Sequence, residues 1–224
     1  VPAKPYLREL FDRLISRDVV FRHNIHQPRL VRDLAIYGIE MCSARLSYQQ
    51  TARAFELKGA ATVKRYFGYL DEAYFLFELP NYSPKLKERT RQPRKLYACD
   101  PGFVTTLSVS TSQDYGKRLE NLVYLALRRA HPEIQSWLGR DFEVDFVVHE
   151  GRQVQALTQA CWSLHDEKTR KREIGALLKA SQITRCKRLQ IITEAEEDLI
   201  SLKRGQEEIT IEVLPFWKWT LMNS

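Results

Sequence analysis

SYQQTARAFELKGAATVKRYFGYL, residues 47–70, decides how the first half of the chain is read. Ser47 is a good N-cap because its side-chain oxygen can accept from an early helical N–H, so a helix is predicted from there to Leu57. Lys58-Gly59-Ala60 supplies a short turn, with Gly available for the left-handed conformation that follows a helix. A longer helix starts at about Ala61 and gathers Val63, Tyr66, Phe67 and Leu70 on one face. A short helix, a tight turn and a second helix have the spacing of a helix-turn-helix.

Working outward, Tyr74–Tyr82 is rich in Phe, Leu and Tyr and reads as a strand, and Lys95–Cys99 reads as its partner. A helix-turn-helix followed by a hairpin is a winged helix, whose wing would be Ser83–Arg94. The wing sequence carries Lys85, Lys87, Arg89, Arg91, Arg94 and Lys95 against Glu88 alone, and Lys64 and Arg65 on the second helix add to them. Such a surface suits phosphate contact. It equally suits a solvated basic loop or an acidic partner protein. Upstream, Tyr6–Val20 has helical apolar spacing, and Pro28 opens another helix with a stripe of Leu30, Leu34, Tyr37 and Met41.

Asp100-Pro101-Gly102 reads as a boundary, giving domains over 1–100 and 101–224. Beyond it, Tyr115–Ala130 is a strongly amphipathic helix. Gly139–Gly151 reads as a hairpin whose FEVDFVVHEG stretch alternates at Phe142, Val144, Phe146 and Val148. Val154–Cys161 is a further strand, Asp166–Ser181 a helix, and Leu189–Thr193 and Ile209–Leu214 are strands. Helix, hairpin, strand, helix, strand makes an α/β layer. The predicted fold class is therefore α+β, with a helical winged-helix domain followed by an α/β layer.

Three residues of that layer stand where chemistry would gather: Glu120 mid-helix, Asp145 on the hairpin and Gln159 on the next strand. Glu on a helix, Asp at a hairpin and Glu/Gln-x-Lys on the adjacent strand is the layout of a PD-(D/E)xK nuclease. There a divalent metal, Mg²⁺ here, would be held by Glu120 and Asp145 to activate water. Cys161 occupies the position of the Lys that would support developing negative charge, which leaves the site incomplete. Lys168, on the following helix, is the nearest cation for that task. The bland alternative makes Glu120 and Asp145 ordinary polar residues of a packed layer.

Composition narrows the field. The chain has 224 residues, 44% hydrophobic and 28% charged, which excludes disordered and fibrous classes. No apolar run approaches the roughly 18 residues of a membrane span. The first 100 residues hold 18 Lys and Arg against 11 Asp and Glu, while the remaining 124 hold 17 of each, so the whole excess of +7 lies in the first half. Cys42, Cys99, Cys161 and Cys186 are far apart without zinc spacing, and read as reduced thiols of a cytoplasmic protein. Gly116-Lys117 is followed by Arg118, so no P-loop is present. The first residue is Val1, and the chain is expected to be a piece of something longer.

SRDVVFRHNI (16–25), ATVKRYFGYLDEAYFLFEL (61–79), KLYACDPGF (95–103), GKRLENLVYLALRR (116–129), FEVDFVV (142–148) and DEKTRKREIGALL (166–178) come in a familiar order. The chain resembles the C-terminal region of bacterial and archaeal AAA+ superfamily ATPases, in which the ATPase module is followed by a domain of unknown function. The resemblance implies a lid-like first segment, a winged helix, a PD-(D/E)xK-like end, and an ATP-binding module outside this chain. It also makes Arg17, in the lid-like segment, a candidate nucleotide sensor. Three functions stay open: a DNA-binding region that couples the ATPase to DNA, a protein-interaction module, and a metal-dependent nuclease.

Overall fold

Phe11, Ile15 and Val19 recur every four residues and are fully or almost fully buried, which seats the N-terminal helix on the first of two cores. That helix is α1 (Ala3–Arg13), and it runs on as a π-helical stretch over Leu14–Phe21. Two elements therefore replace the single helix predicted for Tyr6–Val20. The structure is a computed structural model that describes residues 3–83, 92–108, 114–204 and 207–222, and its fold is α+β in two units.

In the first unit, α2 (Pro28–Glu40) starts on a proline, whose fixed φ and missing N–H suit the first helical position. It turns Val31, Leu34, Ala35 and Ile39 inward. Then come β1 (Arg45–Leu46), α3 (Tyr48–Ala54), α4 (Ala60–Glu72), β2 (Leu76–Leu79) and β3 (Arg94–Ala98). The strands form an antiparallel sheet in the order β1-β3-β2, with Phe77 opposite Tyr97 and Leu46 opposite Arg94. Ser47 caps α3 as its sequence implies, accepting from the Gln50 N–H at 3.4 Å. The turn that follows is built differently from the prediction. Glu56 takes the left-handed conformation (φ 52°) and the Leu57 N–H returns to the Ala52 carbonyl at 2.8 Å, whereas Gly59 is extended.

The first unit does not end at Asp100. Asp100 accepts from the Gly102 N–H at 2.6 Å and caps α5 (Pro101–Leu107), which buries Phe103 edge-on against Phe75 at 5.2 Å. The boundary expected at 100/101 is thus displaced to the residues after α5, while Pro80–Ser83 goes with the second unit.

The second unit runs α6 (Tyr115–Ala130), β4 (Ile134–Leu138), β5 (Glu143–Glu150), β6 (Gln153–Ala160), α7 (Glu167–Thr184), β7 (Leu189–Thr193), β8 (Asp198–Arg204), β9 (Glu207–Pro215) and α8 (Phe216–Met222). Its mixed sheet has the order β4-β5-β6-β7-β9-β8, with β6, β7 and β9 parallel. Strands β4 and β8 and helix α8 join the elements read from sequence. The β5 residues Phe146, Val147 and Val148 are all buried because helices cover both faces of the sheet. Val147 belongs to the core that holds Leu177 of α7, and the Phe146 ring, on the opposite face, lies 6.5 Å from Tyr124 of α6. Among the described residues, no helix is long and apolar enough to cross a membrane.

Candidate functional site

Strands β5 and β6 part company at one end of the second unit. Their ladder runs from Glu150↔Gln153 to Phe146↔Thr158 and stops there. From that point β5 stays with β4 as far as Leu138↔Glu143, and β6 stays with β7 as far as Ala160↔Ile192. Side chains take over in the gap. The Gln159 side-chain oxygen accepts from the Asp145 N–H at 2.7 Å, its amide donates to the Glu143 carbonyl at 2.8 Å, and the Asp145 carboxylate accepts from the Ala160 N–H at 3.0 Å. The divergence opens a cleft of about 470 Å³.

Glu120, Asp145 and Gln159 all line this cleft, so the three positions picked from sequence do converge. Residues that sequence reading passed over join them: Glu143, Arg172, Glu173, Lys179 and others. Glu143 lies two residues before Asp145, and strand alternation was the available signal for it. Lys168 is exposed and does not line the cleft; Arg172, one turn further along α7, does. The Arg172 guanidinium donates to the buried Glu173 carboxylate at 2.5 Å and 3.0 Å. That contact holds Arg172 even more firmly protonated than usual. Lys179 reaches Asp141 across the cleft.

Cys161 closes β6. Its N–H donates to the Ile192 carbonyl at 2.9 Å and its thiol to the Ser163 carbonyl at 3.1 Å. Burial, then the nearby Glu173 charge, push the thiol up to about 11, so it is neutral at physiological pH. The carboxylates that line the cleft are Glu120, Asp141, Glu143, Asp145 and Glu173. Gln159 is neutral and spends both polar atoms on backbone, Cys161 carries no charge, and one Asp145 oxygen accepts from Ala160. Among the described residues, no three His, Cys, Asp or Glu side chains group closely enough to hold a metal.

In the first unit, Lys64 and Arg65 are exposed on α4, while Val63, Phe67 and Leu70 are fully buried. Lys95 is only 4% exposed, on the middle strand of its sheet. Arg94 is half-buried and paired with Glu78 at 3.6 Å. Lys85, Lys87, Arg89 and Arg91 lie outside the described residues. Arg17 is exposed on the π-helical stretch, with its Nε 3.3 Å from Asp18.

Residues 2–114 match the family model described as Domain of unknown function (DUF8612), and the match closes where the first unit closes. The chain is 33% identical over 228 residues to an uncharacterized protein of Methanocaldococcus jannaschii, covering 97% of this chain and 50% of that protein. It is 18% identical over 153 residues to an uncharacterized protein of Haemophilus influenzae, covering 66% of this chain and 38% of that protein. The chain thus spans half or less of these curated relatives. No solved structure matches it.

Proposed function

The chain belongs to the family described as Domain of unknown function (DUF8612), and from that premise we propose that it is the C-terminal, DNA-binding and coupling region of an AAA+-type ATPase, with a degenerate nuclease-like unit at its end. The observation that carries the reading is α4. It follows α3 after a short turn, and it buries Val63, Phe67 and Leu70 while turning Lys64 and Arg65 to solvent. The order α2-β1-α3-α4-β2-β3, with sheet order β1-β3-β2, supports a winged helix, in which the second helix enters a groove of the duplex. The basic residues between β2 and β3 would add phosphate contacts.

For the second unit, the run α6-β4-β5-β6-α7-β7 with Glu120, Asp145 and Gln159 in one cleft supports descent from a PD-(D/E)xK fold. Gln159 and Cys161 speak for lost cleavage, because neither supplies the charge that hydrolysis of a phosphodiester needs. The ATP-binding module belongs, on this reading, to the further length of the relatives, and Arg17 would sense its nucleotide.

Duplex binding measured by fluorescence anisotropy across a salt series tests the reading. Binding that falls steeply with salt is expected, because each neutralised phosphate releases counterions. The Lys64→Ala/Arg65→Ala double variant should lower affinity and make the log–log slope shallower by about 2, at roughly 0.9 per phosphate contact. An unchanged slope, or no duplex binding at low salt, removes the proposal and favours a protein partner for this face.

A further inference from the structure

We propose that Trp162 and Tyr115, together with the Arg118 guanidinium, form a stacking platform for an unpaired nucleobase of single-stranded nucleic acid. The two rings are in contact, with centroids 4.9 Å apart and planes inclined at 34°. Arg118 lies over the Tyr115 ring at 5.4 Å from its centroid. Despite touching each other, Trp162 is 40% exposed and Tyr115 is 43% exposed. Leaving this much aromatic surface in water forgoes the gain of burial, and a grouped pair beside a cation is a surface that gains from being covered.

Hydrogen bonds tie down the loop that carries Trp162. Trp162 sits in the loop that leaves β6, and its carbonyl accepts from the Glu194 N–H at 3.2 Å. The residue before it is fixed by the Cys161 backbone and thiol bonds, and the Leu164 N–H donates to Glu196 at 2.8 Å. Cys161 thereby gains a role: where a nuclease would place its Lys, a neutral buried thiol ties down the turn that presents the indole. A pre-set indole loses little freedom when a ligand stacks on it. This loop stands at the carboxyl ends of the parallel strands β6 and β7, the place where open α/β sheets receive ligands.

Ligand chemistry follows from the surface. Two π faces accept any flat ring, and an Arg over one of them adds cation–π attraction and a donor for phosphate. Trp162 is two residues beyond Ala160, and Tyr115 five residues before Glu120, and both Ala160 and Glu120 line the cleft. Arg172, whose side chain is 71% exposed beyond its pair with Glu173, gives the cleft a cation for the adjoining phosphates. A nucleobase with its own backbone satisfies ring and charge together. This site lies in the unit that does not contain Lys64 and Arg65, so it stands apart from the duplex reading.

The test uses the full chain with fluorescein-labelled 12-residue oligothymidylate and, separately, oligouridylate. Tryptophan emission should be quenched on titration of at least one of them. Trp162→Ala should weaken that binding roughly tenfold, as loss of one base-stacking partner does, while Trp162→Phe keeps most of it. Tyr115→Ala should act in the same direction and serves if Trp162→Ala does not fold. The oligomer that binds identifies the sugar preference. Absence of binding to both, or equal binding by the wild type and both Ala variants, overturns the proposal. Single-strand binding without duplex binding would sink the duplex reading and leave the platform standing; duplex binding alone would do the reverse.

Discussion

Gln159 shows how a position that looks catalytic can serve the backbone. Where the β5–β6 ladder ends, two main-chain groups lose their strand partners, and the Gln159 amide replaces both at 2.7 Å and 2.8 Å. With Gln159 only 2% exposed, removing it leaves the Asp145 N–H and the Glu143 carbonyl without these partners, each at about 1–3 kcal/mol. Gln159→Ala is expected to destabilise the second unit by about 2–4 kcal/mol, read as a lower midpoint in urea unfolding followed by tryptophan fluorescence. An unchanged midpoint would mean that water replaces the side chain and that no brace exists. The convergence of Glu120, Asp145 and Gln159 was legible from element order and spacing. The brace was not, because it depends on where two strands diverge, which register decides and spacing does not. The same holds for Arg172: which cation of α7 reaches the cleft follows from the helix phase set by its buried residues Glu173, Ala176, Leu177 and Ala180.

At the scale of elements, helices α2, α4 and α6 were legible because their apolar residues repeat with helical period, and α7 because acidic residues open it and Glu167 and Lys171 stand at i,i+4 spacing. The elements that escaped are short or locally ambiguous. In β4, IQSWL places Gln135 and Ser136 between its apolar ends, so no strand alternation appears. Asp100-Pro101-Gly102 reads as a break, yet Asp before Pro is also how a helix begins, and here it opens α5. Packing between elements was equally hidden, and Gly38 exposes it. A Cβ at that position of α2 would lie 2.4 Å from Leu76 Cδ1 and 2.9 Å from Phe67 Cε1, so β2 and α4 both approach the bare backbone. Gly38→Ala should therefore destabilise the first unit by about 1–3 kcal/mol through overpacking, despite the better helix propensity of Ala. Thermal unfolding followed by far-UV circular dichroism checks this, and a raised Tm would show that the core relaxes around the methyl.

Across the whole molecule, chain order and unit membership differ. Pro80–Ser83 precedes β3 and α5 in sequence, yet it goes with the second unit. The Ser136 N–H donates to the Pro80 carbonyl at 3.0 Å, the Leu138 N–H donates to the Asn81 side chain at 2.7 Å, and Tyr82 packs edge-on against Trp137 at 4.9 Å. This segment thus covers the outer edge of β4, which would otherwise present unpaired strand groups. All four tryptophans, Trp137, Trp162, Trp217 and Trp219, also lie in the second unit. Tryptophan emission therefore follows that unit, whereas far-UV circular dichroism follows both. Asn81 is 1% exposed, so Asn81→Ala strips the part-buried Leu138 N–H of its acceptor and should cost about 1–3 kcal/mol. The loss should move the tryptophan transition, even though residue 81 sits among first-unit residues in sequence. Gly38→Ala should leave that transition in place while shifting the dichroism. If Asn81→Ala instead shifts the dichroism and spares tryptophan emission, the segment stabilises the first unit, and the edge of β4 is protected by other means.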